Sequence, residues 1–152
     1  MSMNRRQQIR LTPEEQGAFL REHRKAALAT TDKDGFPHIV AMNFFAKDGV
    51  FYMTSYAKAQ KVLNIRRNPK VALMVEAGDK YSELQGVMVR GHCEIIEGAD
   101  AVRTAFAEMA RSRGTTYERP QAARDSAPKR VVLRINPEKI TSWDHRKLGG
   151  TY

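Results

Sequence analysis

The chain has 152 residues, 41% of them hydrophobic and 28% charged, with a formal net charge of +9 at pH 7. That length fits one folded unit with a substantial core, and no run of about 18 apolar residues is present to cross a membrane as a helix. A single cysteine, Cys93, excludes an internal disulfide and a cysteine-cluster metal site. The four histidines (His23, His38, His92 and His145) do not fall at metal-ligand spacing.

The N-terminal stretch through Arg10 is polar and basic, and reads as a mobile arm without the apolar segment of a secretory signal. A cytoplasmic location is expected. Thr12-Pro13-Glu14-Glu15 is a capping box with proline at the first helical position, so a helix should begin there. Ala18, Phe19 and Leu20 would turn towards a sheet. Ala26 to Thr31 reads as a strand, followed by the turn chemistry of Asp32-Lys33-Asp34-Gly35. Two apolar-rich runs, Pro37 to Phe45 and Val50 to Thr54, are joined by the hairpin signal Lys47-Asp48-Gly49.

The next segment carries the most chemistry. After Val50 to Thr54 come a hydroxyl pair, Thr54-Ser55, a short basic helix with Lys58, Lys61, Arg66 and Arg67, and a stop at Asn68-Pro69. Thr54 or Ser55 is expected at the helix N-cap, where a hydroxyl satisfies a free backbone donor. Lys58 and Lys61 are three residues apart and would be neighbours on the helix surface. A helix N-terminus attracts anions, so the segment makes either a phosphate grip or a capped surface helix with solvated lysines. Arg66 and Arg67 either close the helix C-terminus or touch a ligand.

Lys70 to Glu76 reads as a strand, then a turn at Ala77 to Lys80. Gln85 to Ile96 is the longest strand, with Gly91 marking a bulge or bend. Cys93 falls inside it as a small core residue. Val102, Phe106 and Met109 recur at helical spacing over Ala99 to Arg111. Ser112 to Pro128 lacks a period and is long for a connector, which leaves a lid or a disordered excursion. Arg130 to Ile135 reads as a final strand ended by Asn136-Pro137. Short strands with interspersed helices predict a mainly β, barrel-like fold with helical additions.

Four stretches in order resemble one family. Thr54-Ser55 followed by Lys61-x-x-Asn64-Ile65-Arg66-Arg67-Asn68-Pro69 resembles the flavin-phosphate region of the split-barrel flavin and deazaflavin oxidoreductases, the pyridoxamine 5'-phosphate oxidase-like superfamily. Ala26 to Thr31 with Asp34-Gly35-Phe36-Pro37-His38 resembles its first strand and turn. Gly86 to Ile96 resembles its long strand, and Ser142-Trp143-Asp144-His145-Arg146 resembles the C-terminus of the coenzyme F420-dependent B branch. The resemblance runs from about Thr12 to Tyr152.

It implies a homodimeric split β-barrel of the FMN-binding type, with residues 1–11 as a flexible basic arm and 12–152 as one cofactor-binding domain. Lys61 and Thr54 match family contacts to the cofactor phosphate, with Ser55 and Lys58 beside them. Ala59 stands where many relatives carry a basic or hydroxyl residue. Ala41, Met42 and Asn43 correspond to the strand whose main chain passes the flavin ring. Asn43 would satisfy either a ring edge or an ordinary sheet face, and Trp143 would lie beside the ring or cap the barrel. Phe44, Phe45, Tyr52 and Trp143 are candidates to wall the ring slot, or simply core.

The implied function is hydride transfer from reduced F420 to a small organic acceptor. The phosphodiester and oligoglutamate tail of F420 suit a basic protein. FMN-dependent redox chemistry and non-catalytic flavin sequestration are the alternatives, and the pyridoxamine phosphate reaction itself fits poorly because its extra basic cluster is missing. Cofactor-borne chemistry agrees with the lack of a legible acid–base constellation; no catalytic residue is assigned. The positive charge also raises nucleic acid as a partner, but the basic residues are scattered and no nucleic-acid motif accompanies them.

Overall fold

The computed structural model describes residues 4–114 and 121–150. Seven antiparallel strands form one curled sheet in the order β2-β1-β5-β6-β7-β4-β3. The strands are β1 (Lys25–Thr31), β2 (Pro37–Asn43), β3 (Phe45–Lys47), β4 (Val50–Tyr56), β5 (Lys70–Ala77), β6 (Gln85–Ile96) and β7 (Arg130–Asp144). The α-helices are α1 (Arg5–Gln8), α2 (Pro13–Glu22), α3 (Gln60–Arg67), α4 (Ala99–Ser112) and α5 (Gln121–Asp125), with short 3-10 turns at Tyr81–Glu83, Ala127–Lys129 and His145–Leu148. This is the mainly β split-barrel architecture expected from the sequence.

Local chemistry explains the elements. Thr12 caps α2 by accepting from the Glu15 amide, while the Glu15 carboxylate accepts from the Thr12 amide. Asp48 and Gly49 both have positive φ, 52° and 76°, between the paired residues Lys47 and Val50. That is the two-residue hairpin that Asp-Gly favours. The β1–β2 turn is held by Asp32, whose Oδ1 accepts from the amides of Asp34 and Phe36.

Alternation puts one face of the sheet inside the curl. Leu28, Leu73, Val75, Val87, Val89, Leu133 and Ile135 pack there with Phe51, Met53 and two residues of α3, Val62 and Ile65. A second core forms on the outer face of β3, β4 and β7, where Val102, Ala105, Phe106 and Met109 of α4 cover Phe45 and Val132. Cys93 is buried in the inner core, and burial pushes its thiol up to about 12.

Outside the basic segment that carries Lys61, four departures from the sequence reading bear on the fold. First, β7 does not stop at Asn136-Pro137 but continues to Asp144. Arg90 pairs with Lys139 while Gly91 pairs with Pro137, so Glu138 is an extra residue and the proline sits at a bulge, where its missing N–H is tolerated. Gly91 is what permits this, because a Cβ there would lie 2.1 Å from the Asn136 carbonyl oxygen. Second, the run Pro37 to Phe45 is broken at Phe44, whose buried ring faces the core and whose amide donates to the Arg24 carbonyl.

Third, the basic segment from Asn4 to Leu11 lies against β7. Asn4 caps α1, the Asp144 amide donates to the Ile9 carbonyl at 2.7 Å, and the Leu11 amide donates to Ser142 Oγ at 3.0 Å. Leu11 itself is buried. Fourth, the Ser112–Pro128 stretch ends in α5 and a 3-10 turn, Ala127–Lys129. Residues 115–120 of it lie outside the described residues.

The bulge makes a stability prediction. Gly91→Val should lose about 3 kcal/mol, because a side chain there must displace backbone rather than a flexible neighbour. Urea denaturation of the purified variant checks it through a lower midpoint at unchanged slope.

Candidate functional site

The basic segment is built differently from its sequence expectation. Thr54 and Ser55 are not at the N-cap of α3; they belong to β4, paired with Val132 and Val131 of β7. The apolar pairing surface of β7 extends the strand through Tyr56, and Ala59 becomes the N-cap with no side-chain bond. The first turn of α3 therefore keeps amide donors that no side chain caps.

Strand alternation separates the two hydroxyls. Thr54 shares a sheet face with Tyr56, whose cross-strand partner is Arg130. Ser55 points to the other face, buried, and donates to the Tyr56 carbonyl at 3.1 Å. Lys58 precedes the helix, exposed, and is not a helical neighbour of Lys61 as expected. Lys61 lies in the first turn, half-buried. Burial and the nearby Arg130 both push its pKa below the usual lysine value.

Arg130 is the residue that sequence reasoning missed. Its guanidinium lies 4.1 Å from the centre of the Tyr56 ring, and its Nε donates to Ser126 Oγ at 2.8 Å. Among the described residues neither Lys61 nor Arg130 meets a carboxylate within ion-pair distance. Two cations near each other without a counter-charge are an arrangement that can accept an anion. Nothing local in the sequence announces it, since Arg130 reaches α3 only through the β4–β7 pairing.

Asn64, in the same motif, fixes the helix that carries Lys61. It is fully buried, accepts from Gln60 Nε2 at 2.8 Å and donates to Thr30 Oγ1 of β1 at 3.0 Å. Arg66 turns away to Glu97 at 2.8 Å, and Arg67 reaches the Asn64 side chain at 3.5 Å.

The strand with Ala41, Met42 and Asn43 is β2, an edge strand bonded only to β1, so one side of its backbone has no strand partner. Ala41 and Asn43 are exposed, whereas Met42 points to the inner core. Phe44 and Phe45 are buried in the inner and outer cores, and Tyr52 stacks on Phe45 at 4.9 Å. These three rings are committed to packing.

Trp143 lies at the far end of β7 from Arg130, opposite Gly86. A Cβ on Gly86 would fall 2.2 Å from Trp143 Cζ2, so the indole rests on bare backbone. It borders a groove of about 640 Å³ whose lining includes Arg6, Arg10, Lys139 and His145, with no acidic residue among the described lining. Arg146 is excluded from this groove's chemistry by a forked bond to Asp144, at 2.9 and 2.8 Å, which holds that carboxyl below its usual range. Lys61 and Trp143 are thus not brought together within one chain. Among the described residues no three metal-binding side chains cluster, and no helix is long and apolar enough to cross a membrane.

Comparison with known proteins matches residues 12–144 to the family model for pyridoxamine 5'-phosphate oxidase. A conserved hypothetical protein of known structure from Mycobacterium tuberculosis is 34% identical, with 99% of this chain and 95% of that one covered and a TM-score of 0.85. The structure of an F420 reductase is 27% identical over 86% of this chain and 98% of its own, with a TM-score of 0.68. An FAD-binding protein from Mesorhizobium loti, 24% identical over 87% of this chain and 94% of its own at a TM-score of 0.63, shares the fold. No curated protein matches the sequence.

The buried Asn64 bridge yields a prediction. Asn64→Leu removes the partner of the Thr30 hydroxyl and should destabilise the protein by about 1–3 kcal/mol, seen as a lower thermal midpoint.

Proposed function

The chain belongs to the pyridoxamine 5'-phosphate oxidase family, and on that premise we propose that it is an F420-dependent oxidoreductase passing hydride from the reduced deazaflavin to a small organic acceptor. The observation that carries this reading is the uncompensated pair Lys61 and Arg130 beside the uncapped first turn of α3. A phosphate there gains two cations and free amide donors together. Thr54, on the Arg130 face, adds a hydroxyl; Ser55 and Lys58 flank the contact.

The ring would lie along the edge of β2, reading the main chain at Ala41, Met42 and Asn43. In such chemistry the cofactor supplies the reactive atom, and the protein binds it, orients it and excludes water. One observation favours F420 over the alternative cofactor, FMN: the likeness to an F420 reductase. A non-catalytic flavin-binding protein on the same barrel would bind cofactor and fail to turn it over.

The proposal includes a homodimer, because Lys61 lies in α3 near Arg130 at the start of β7 while Trp143 lies at the far end of that strand, and a site using both needs two chains. Ile39, Met74 and Met88 are exposed at 65%, 37% and 38%, with Ala27, Ala29 and Ala41 between them on one outer sheet face. A contiguous apolar face of this kind marks an association surface, and C2 pairing is the commonest way to cover one.

Equilibrium titration with F420 and FMN, followed through Trp143 fluorescence, tests the cofactor. F420 should bind, and Lys61→Ala or Arg130→Gln should each weaken it about 10- to 100-fold, the range for a lost charged hydrogen bond. Binding unaffected by either substitution contradicts the grip. For the dimer, Met74→Lys combined with Met88→Lys should convert the protein to a monomer in sedimentation velocity and weaken cofactor binding with it. A dimer that survives both substitutions rules out this face.

A further inference from the structure

A second set of unpaired cations borders a cavity at the other end of β4. The cavity, about 350 Å³, lies between α2, the β3–β4 hairpin and the C-terminal end of α4. That volume is in the range of small-ligand pockets. Leu20, Phe44 and Phe51 give it an apolar side, and Arg21 and Arg113 contribute to its polar side. It is remote from Lys61: Phe51 borders the cavity, Tyr56 touches Arg130, and five residue steps along β4 separate them by about 17 Å.

Arg113 is the informative residue. Its Nε and Nη2 are shielded from solvent and meet no acceptor among the described residues. Burial and the nearby Arg24 guanidinium both act against its charge. The neighbouring carboxylate is already used, since Glu108 holds Arg111 at 2.7 Å and Lys47 at 3.5 Å. Asp48 is the acidic residue on the cavity lining, and among the described residues no ion pair joins it to Arg113. A position at the end of α4 explains why a cation is tolerated there. It does not explain two covered N–H groups left without an acceptor, which carries a desolvation cost that arginine cannot escape by losing its proton.

We propose that this cavity is a second ligand site, taking a small molecule with an oxyanion head and an apolar body, such as an aryl or alkyl carboxylate. The head neutralises Arg113 against the repulsion of Arg24, and the body lies on Leu20, Phe44 and Phe51. The site owes nothing to the cofactor reading and stands whether or not Lys61 holds a phosphate.

The test uses the full chain carrying Lys61→Ala, so that the other cation pair is weakened, titrated with benzoate and with inorganic phosphate under amide NMR. Benzoate should give saturable shifts clustered at Gly17, Ala46, Gly49 and Ser112, with phosphate binding more weakly because it lacks an apolar body. Arg113→Gln should weaken benzoate about tenfold or more, and Arg113→Lys should recover part of the loss. Absence of saturable shifts, shifts clustered elsewhere, or equal affinity in a folded Arg113→Gln protein would overturn the proposal. Phosphate binding tighter than benzoate would overturn the apolar half of it. Should Arg113→Gln fail to fold, the shift map with Arg113 intact decides the matter alone.

Discussion

The architecture depends on the close approach of Gly91 to the Asn136 carbonyl. Without a side chain at 91, β6 and β7 pass through a bulge that absorbs Glu138 and accommodates Pro137. This lets β7 run on to Asp144 as a single strand. Paired with β4 at its start and with β6 along its length, β7 joins the two halves of the curled sheet. It also delivers Arg130 to the end of β4 and, at its far end, presents Trp143 over Gly86. Both ends of the proposed site are therefore set by one strand.

Electrostatics divide the excess positive charge into two populations. Arg66 with Glu97, Arg146 with Asp144, Lys147 with Glu15 and Arg111 with Glu108 are paired, mostly at the surface, where such pairs contribute little to stability. Lys61 with Arg130, and Arg113 with Arg24, are like charges brought near each other. Folding works against such proximity, and the anions proposed for the two sites would relieve it. The net charge of +9 is informative through this sorting, not through its size.

Much of the fold was legible because its signals are local. The Thr12 capping box, the Asp48-Gly49 turn, the limits of β6 and the helical period of α4 rest on residues within a few positions of each other. The reading failed where a distant partner decides. Pro137 looks like a strand end until Gly91 is seen opposite it, and Thr54 looks like a helix cap until Val132 is seen pairing it into β4. The Asn4–Leu11 segment looks loose until Ser142 and Asp144 are seen holding it. In the candidate site, Lys61 enters the proposal through its motif. Arg130 was not legible, because its place beside Lys61 is made by a strand pairing across nearly half the chain.

The central claim is that Lys61 and Arg130 together hold a cofactor phosphate, and a crystal structure of the protein with F420 bound tests it most directly. The account predicts the phosphate at the first turn of α3, within hydrogen-bonding distance of Lys61 Nζ, the ring along the edge of β2, and Trp143 approaching it from a second copy of the chain. A cofactor phosphate bound elsewhere, with Lys61 and Arg130 still without an anion, would contradict it.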